Sequence, residues 1–235
     1  MAVSLYGATT APGSVSEMST RFFEESADAA IQGYVDEPER ANGDGIVLAH
    51  GAGSNCQAKL LMELSGALAD HGFTVVRIDL PFRVARPSGP PRPGDAARDR
   101  QGLQRAAEVL RAKTGGSVFI GGHSYGGRQA SMLAAEAPSV VDGLLLLSYP
   151  LHPPKKPLEL RIKHFGEIGK PAFFAHGTRD PFGSIAEMKA ALKLLRVKHE
   201  LLAIEGAGHD LLVKKSASQP ATAIADRFAA FTGNS

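Results

Sequence analysis

Ser117–Glu136 reads SVFIGGHSYGGRQASMLAAE and sets Ser124 between Gly122 and Gly126. The run before the serine is apolar and strand-like. The run after it has helical spacing, so Ser124 falls on a strand-to-helix turn. A nucleophilic serine on such a turn takes cramped backbone angles, and the residues two before and two after come close to it. A side chain at either position would clash, which is a reason for both to be glycine. An ordinary glycine-rich turn has the same composition. With 26 glycines in the chain the pattern alone decides little, and its place between strand and helix carries the information.

Outward from this turn, apolar runs alternate with helical stretches. GIVLAHG (Gly45–Gly51) reads as a buried strand, QAKLLMELSGALADHG as a helix stopped by glycine, and FTVVRIDLP as the next strand. PFRVARPSGPPRPGD is dense in proline and is expected to be a loop, neither helix nor central strand. AARDRQGLQRAAEVLRAK is helical, and VDGLLLLSYP, PAFFAHG and HELLAIEG are strands. SIAEMKAALKLLR is a helix between the last two, and SQPATAIADRFAAFTG closes the chain as an amphipathic helix. Ahead of them all, RFFEESADAAIQGYVDEP reads as a two-stranded hairpin, and residues 1–19 as a loose lead-in. Alternating strands and helices imply right-handed crossovers and a mostly parallel sheet with helices on both faces. The unbroken apolar runs agree, because such strands are buried on both sides. No repeat or linker divides residues 20–235, so a single α/β domain is expected.

Composition excludes several function classes. At 43% hydrophobic and 21% charged, the chain has a soluble globular balance and enough length to bury a core without disulfides or metals. A formal net charge of +2, with no charged tail, gives nucleic-acid binding no support. The one cysteine, Cys56, rules out an internal disulfide framework. It falls near the start of a helix, where a thiol pKa can be lowered, but with no base paired to it in sequence it reads as passive. The most apolar run, GLLLLSY from Gly143, is too short to cross a bilayer. The N-terminal stretch lacks a basic start followed by a sustained apolar run, so no secretory signal and a cytoplasmic location are expected.

A serine hydroxyl is a poor nucleophile unless a base takes its proton and an acid orients the base. Asp180, in PAFFAHGTRDPFGS, and His209, in HELLAIEGAGHDLL, each lie just beyond a strand, on the sheet edge expected for Ser124. Open α/β sheets gather their chemistry at that edge. Asp210 is a rival acid, but it adjoins His209 and is poorly placed to bond it. His123, beside the serine, should point away from it, and His176 sits late in a strand as a packed residue. His50, His71, His152, His164 and His199 fit the order or position less well. The negative oxygen formed on a carbonyl needs N–H donors. These are expected from the Tyr125 backbone and from the loop HGAGSN, around Gly51 and Ala52. A phosphate-binding loop would end in lysine and serine or threonine, and GAGSNCQ does not.

With these segments in order, the chain resembles the α/β-hydrolase superfamily over nearly its whole length. LAHGAGSN, IDLPFRVARPSGPPRP, GGHSYGGR, SYPLHPP, HGTRDPFG and GAGHDL together resemble a narrower branch related to dienelactone hydrolases. That branch includes the hydrolase-like domain shared by testis-expressed proteins and a regulatory subunit of the non-specific lethal chromatin complex. The resemblance implies an α/β-hydrolase fold with Ser124, Asp180 and His209 as the triad. Dienelactone hydrolases proper use a cysteine nucleophile where this chain has serine, so their substrate does not carry over.

The expected activity is a serine hydrolase, a carboxylesterase or thioesterase acting through an acyl-enzyme on small to medium substrates. No metal or cofactor is called for. A hydrolase fold serving as a non-catalytic scaffold or partner-binding protein is the alternative. LHPPKKPLELRIKHFGEIGK, between two strands, is too short for a substantial cap, so an open pocket is expected. Arg83, Arg86 and Arg92 are brought to the same edge by the proline-rich loop, where they face an anionic substrate or else are solvated or paired within the protein. Tyr149 and His152 follow a strand and either line the pocket or pack.

Overall fold

The computed structural model describes residues 4–5, 19–24, 29–213 and 220–234. Its sheet has nine strands in the order β1-β2-β3-β5-β4-β6-β7-β8-β9. The hairpin read from the sequence is β2 (Ser19–Glu24) against β3 (Ile31–Asp36), antiparallel. Ser4–Leu5 adds a short β1 to its outer edge, and the rest of the expected lead-in before Ser19 lies outside the described residues. Strand β3 runs antiparallel to β5 (Thr74–Asp79). From β5 onward the sheet is parallel, through β4 (Gly45–Ala49), β6 (Val118–His123), β7 (Gly143–Leu147), β8 (Ala172–Gly177) and β9 (His199–Ile204).

The period of two along each buried strand divides the core in two. Ile46, Leu48, Leu145 and Leu147 point to the face covered by α1 (Lys59–Asp70) and α6 (Pro220–Thr232). Val47, Ala49, Leu144 and Leu146 point to the face covered by α3 (Asp95–Lys113), α4 (Tyr125–Glu136) and α5 (Ile185–Leu192). Because each strand feeds apolar side chains to both layers, its sequence shows no polar alternation. Helix α5 starts where its sequence says it should. The Ser184 side chain accepts the Glu187 N–H, while Glu187 accepts the Ser184 N–H, a reciprocal cap.

One expectation is corrected. The proline-rich loop opens with a helix, α2 (Pro81–Ala85), with Pro81 at its first position. Proline is tolerated there because the N–H it lacks has no intrahelical partner anyway. The β7–β8 connection contains no α-helix, only a 3-10 turn at Phe165–Glu167, so no helical cap covers the sheet edge. Among the described residues no helix is long and apolar enough to cross a membrane.

Strand β4 positions the site. It pairs with β5 on one side and β6 on the other, so the chain reverses its direction of travel across the sheet there. Loops leaving neighbouring strands at such a switch diverge and leave a crevice. Ala49 is in register with Gly122, which sets the loop after β4 beside the turn after β6.

Candidate active site

Ser124 sits between β6 and α4 with φ 52° and ψ −111°, a left-handed conformation that a non-glycine residue seldom adopts. Its flanking glycines are demanded by the strand and loop beside it. A Cβ on Gly122 would lie 2.1 Å from the Ala49 carbonyl oxygen, and Gly122 itself has φ 146°. A Cβ on Gly126 would lie 2.7 Å from both the Ala49 and His50 carbonyl oxygens. The glycines therefore let a strained turn press against β4, and the turn holds Ser124 where the two loops meet.

Two further loops bring the other groups to it. Asp180 follows β8 and His209 follows β9, so both leave the sheet at the edge where β6 ends. His209 Nε2 is 2.8 Å from Ser124 Oγ, and His209 Nδ1 is 2.8 Å from Asp180 Oδ2. A carboxylate only accepts, so Nδ1–H donates to Asp180, and in the neutral ring Nε2 is left as an acceptor for the Ser124 hydroxyl. The Asp180 carboxylate is buried and its other oxygen accepts the Phe182 N–H at 2.8 Å. Burial pushes its pKa up, but the hydrogen bonds from His209 and Phe182 outweigh this and hold it below the usual carboxylate range.

Neighbours fix the imidazole from several sides. The Phe182 ring stacks on it, and His123 Nε2 donates to the His209 carbonyl oxygen at 2.6 Å. Burial drops His123 to about 4 despite that carbonyl, so its ring is neutral. Among the expected non-participants, His176 is buried, as read from the sequence, and donates Nε2–H to Gly183 O at 2.7 Å. Asp210 turns to its own loop, where Oδ1 accepts the Leu212 N–H.

The loop after β4 is held from beneath. His50 is buried; its Nδ1–H donates to Gly51 O at 2.8 Å, and its Nε2 accepts the Leu80 N–H at 3.2 Å. A Cβ on Gly51 would come within 2.9 Å of His123 Nδ1 and 3.6 Å of Ser124 Cβ, which places this backbone beside the serine. The Ala52 and Tyr125 N–H groups donate to no protein acceptor among the described residues. The Tyr125 side chain is tied away from the serine: its hydroxyl donates to Asp99 Oδ2 at 2.6 Å, and its ring meets Phe82 edge-on.

The tentative substrate contacts fare differently. Arg83 is buried and spends its donors on carbonyl oxygens: Ser54 at 2.8 Å, Gly89 at 2.9 Å, Ala52 at 3.1 Å and Arg86 at 3.2 Å. It clasps the β4 loop to the proline-rich loop, so the expectation of a pocket-facing guanidinium gives way to a structural one. Arg86 is paired with Asp95 at 2.5 Å, at the start of α3. Tyr149 is corrected as well. It is fully buried, donates its hydroxyl to Arg161 O at 2.6 Å, and packs on Phe165 and Phe174. His152 is buried with Nδ1 donating to Pro153 O at 2.8 Å, a loop contact rather than a pocket wall. Cys56 is buried, and burial followed by the nearby Asp79 charge pushes its thiol up to about 12, the reverse of activation. A groove of about 520 Å³ runs along Arg86–Pro93; none of Ser124, Asp180 or His209 lines it.

Phe182 and Asp99 were not singled out in the sequence. Phe182 lies two residues past Asp180, and that closeness was the available signal. Asp99 sits mid-helix with no motif around it.

A fold with a parallel sheet, a strained serine turn and no cap defines a class, and comparison with known proteins names it. Residues 42–233 match the alpha/beta hydrolase domain family, and the chain belongs to that family. Hydrolase is therefore its class. Dienelactone hydrolase from Anabaena variabilis is 21% identical, with 92% of this chain and 97% of that one covered and a TM-score of 0.71. Est1E from Butyrivibrio proteoclasticus is 14% identical, with 91% and 99% covered and a TM-score of 0.72. A serine hydrolase without lid from Xanthomonas campestris is 16% identical, with 92% and 93% covered and a TM-score of 0.64. At these identities they share the fold.

Proposed function

We propose that this chain is a serine hydrolase of small to medium carboxylic esters or thioesters, with Ser124 as nucleophile, His209 as base and Asp180 as orienting acid. Ser124 Oγ attacks the acyl carbon as its proton passes to His209 Nε2. The tetrahedral intermediate collapses, and the departing alkoxide or thiolate takes that proton. A water, deprotonated by His209, then attacks the acyl-serine, and the proton returns to Ser124 as the acid leaves. Asp180 stabilises the imidazolium formed twice in this cycle. The Tyr125 and Ala52 N–H groups, with Gly51 beside them, receive the oxyanion.

One observation carries the reading: the continuous hydrogen-bond chain from Ser124 Oγ through His209 to Asp180, at 2.8 Å for each link. A binding module has no use for a base and acid in register with a strained serine. The uncapped edge supports substrates of modest size. Turnover of a panel of short nitrophenyl esters, thioesters and peptide anilides tests it. Esters or thioesters should be cleaved, and Ser124→Ala should lower their kcat by about a million-fold where chemistry limits. Undiminished turnover by that variant would reject the assignment.

A further inference from the structure

Among the described residues the buried and half-buried arginines are paired, with two exceptions. Arg77, Arg86, Arg100 and Arg105 each meet a carboxylate at 2.5 to 2.8 Å, and Arg83 is caged by carbonyls. The two exceptions are Arg128, four residues after the serine, and Arg161, in the β7–β8 connection. Among the described residues neither Arg128 nor Arg161 makes an ion pair, and Arg128 Nε is buried with no hydrogen-bond partner. An unpaired buried donor on a charged group is costly unless something else meets it.

Their backbones are fixed. Arg128 stands one helical turn beyond Ser124 and donates its N–H to Ser124 O at 2.9 Å. The Arg128 carbonyl accepts the Ser131 hydroxyl at 2.8 Å, and Ser131 Oγ lies 2.8 Å from His164 Nε2. Arg161 donates its N–H to Leu151 O at 2.8 Å and accepts the buried Tyr149 hydroxyl. The two guanidiniums are close enough to feel each other: burial and then the Arg128 charge lower the pKa of Arg161. His164 adds no further positive charge, because burial and the same arginine hold it at about 4. Glu159 is the one acid that acts on Arg161, and its carboxylate is exposed and bonded to Lys156 at 2.9 Å.

We propose that Arg128 and Arg161 form an anion site that receives the free carboxylate of a substrate whose ester or thioester carbonyl sits at Ser124. The substrate class is then a half-ester or half-thioester of a short dicarboxylic acid. The Arg128 backbone is one helical turn, about 5.4 Å along the axis, from Ser124, so short diacids of four or five carbons are the class to test. Guanidinium pairs are suited to a planar carboxylate, which accepts two parallel N–H bonds. The choice of ester rests on the serine-hydrolase reading; the anion site does not.

Two measurements separate those claims. Ser124→Ala protein, titrated with glutarate in a calorimeter, should bind it saturably. Adding Arg128→Gln or Arg161→Gln should weaken binding at least about tenfold, whereas Arg196→Gln, at an exposed arginine, should not. The protein with Ser124 intact should prefer nitrophenyl hemiglutarate to nitrophenyl butyrate, and Arg128→Gln and Arg161→Gln should each lower that preference at least about tenfold, with Arg128→Lys intermediate. Glutarate binding that needs neither arginine would overturn the site, as would tighter binding of inorganic phosphate than of glutarate. Arginine-dependent glutarate binding without turnover of either ester would keep the site and sink the serine-hydrolase reading.

Discussion

Phe182 stacks on the imidazole of His209, with 4.1 Å between ring centroids and 29° between planes. The same short segment supplies Asp180, whose carboxylate takes the Phe182 N–H. One loop thus grips His209 by its edge and by its face. Removing the ring leaves His209 Nε2, the proposed base, free to swing. Phe182→Ala is expected to lower kcat by about ten- to a hundredfold with a smaller change in KM, since small misplacements of a reacting group have costs of that order. Steady-state kinetics on a nitrophenyl ester checks it; an effect confined to KM would mean that the ring contacts substrate instead.

Asp180→Asn keeps the shape of that grip but takes away its charge. It should lower kcat by about 10⁴-fold, the scale seen when an orienting carboxylate is lost. It also has a pH signature. The carboxyl is held below its ordinary value of 3.8 in the folded chain, so its ionised form favours folding. That contribution is complete above about pH 4 and disappears as pH falls through the lower native value. The melting temperatures of the two proteins should therefore differ more near pH 7 than near pH 3. A gap that widens in acid would show that the carboxyl is not stabilised in its charged form.

Arg83→Met removes the donor from four carbonyls at once. A cost of about 3 kcal/mol is expected, since a single orphaned buried acceptor already costs about 1 to 3. In a chain of this size that is a drop of roughly 6 to 12 °C in Tm. Because the residue clasps the Ala52 loop, turnover of neutral and anionic esters should fall together. A selective loss on anionic esters would return Arg83 to the pocket.

The order of strands and helices was legible because both faces of the parallel sheet are buried, and GIVLA or GLLLL leaves little else for such a run to be. That Ser124, Asp180 and His209 would meet was legible for a related reason: each follows a strand, and parallel strands end on one edge. Helix α2 was not legible, because Pro81 and the prolines that follow the helix read as breakers, while Pro81 occupies a first-turn position that needs no N–H. The roles of Arg83 and Tyr149 stayed open in the sequence because it places a residue at an edge without saying which way the side chain turns. The unpaired state of Arg128 was out of reach for the same reason, since pairing depends on residues far along the chain.

Gly122→Ala puts a methyl 2.1 Å from a strand carbonyl at a φ of 146°, where no rotation relieves it. At least about 3 kcal/mol of destabilisation is expected from strain and clash together. Gly53→Ala, with nothing within 4 Å, should melt within a degree or two of the parent. Equal melting of the two variants would contradict the account of the turn.

The most direct measurement is intact-mass spectrometry after treatment with a fluorophosphonate, which reports whether the Ser124 hydroxyl is activated. A single adduct that maps to Ser124, is absent from Ser124→Ala and forms much more slowly in His209→Ala is predicted. Folded protein that takes up no label, or takes it up at another residue, would contradict the claim that His209 and Asp180 make this serine a nucleophile.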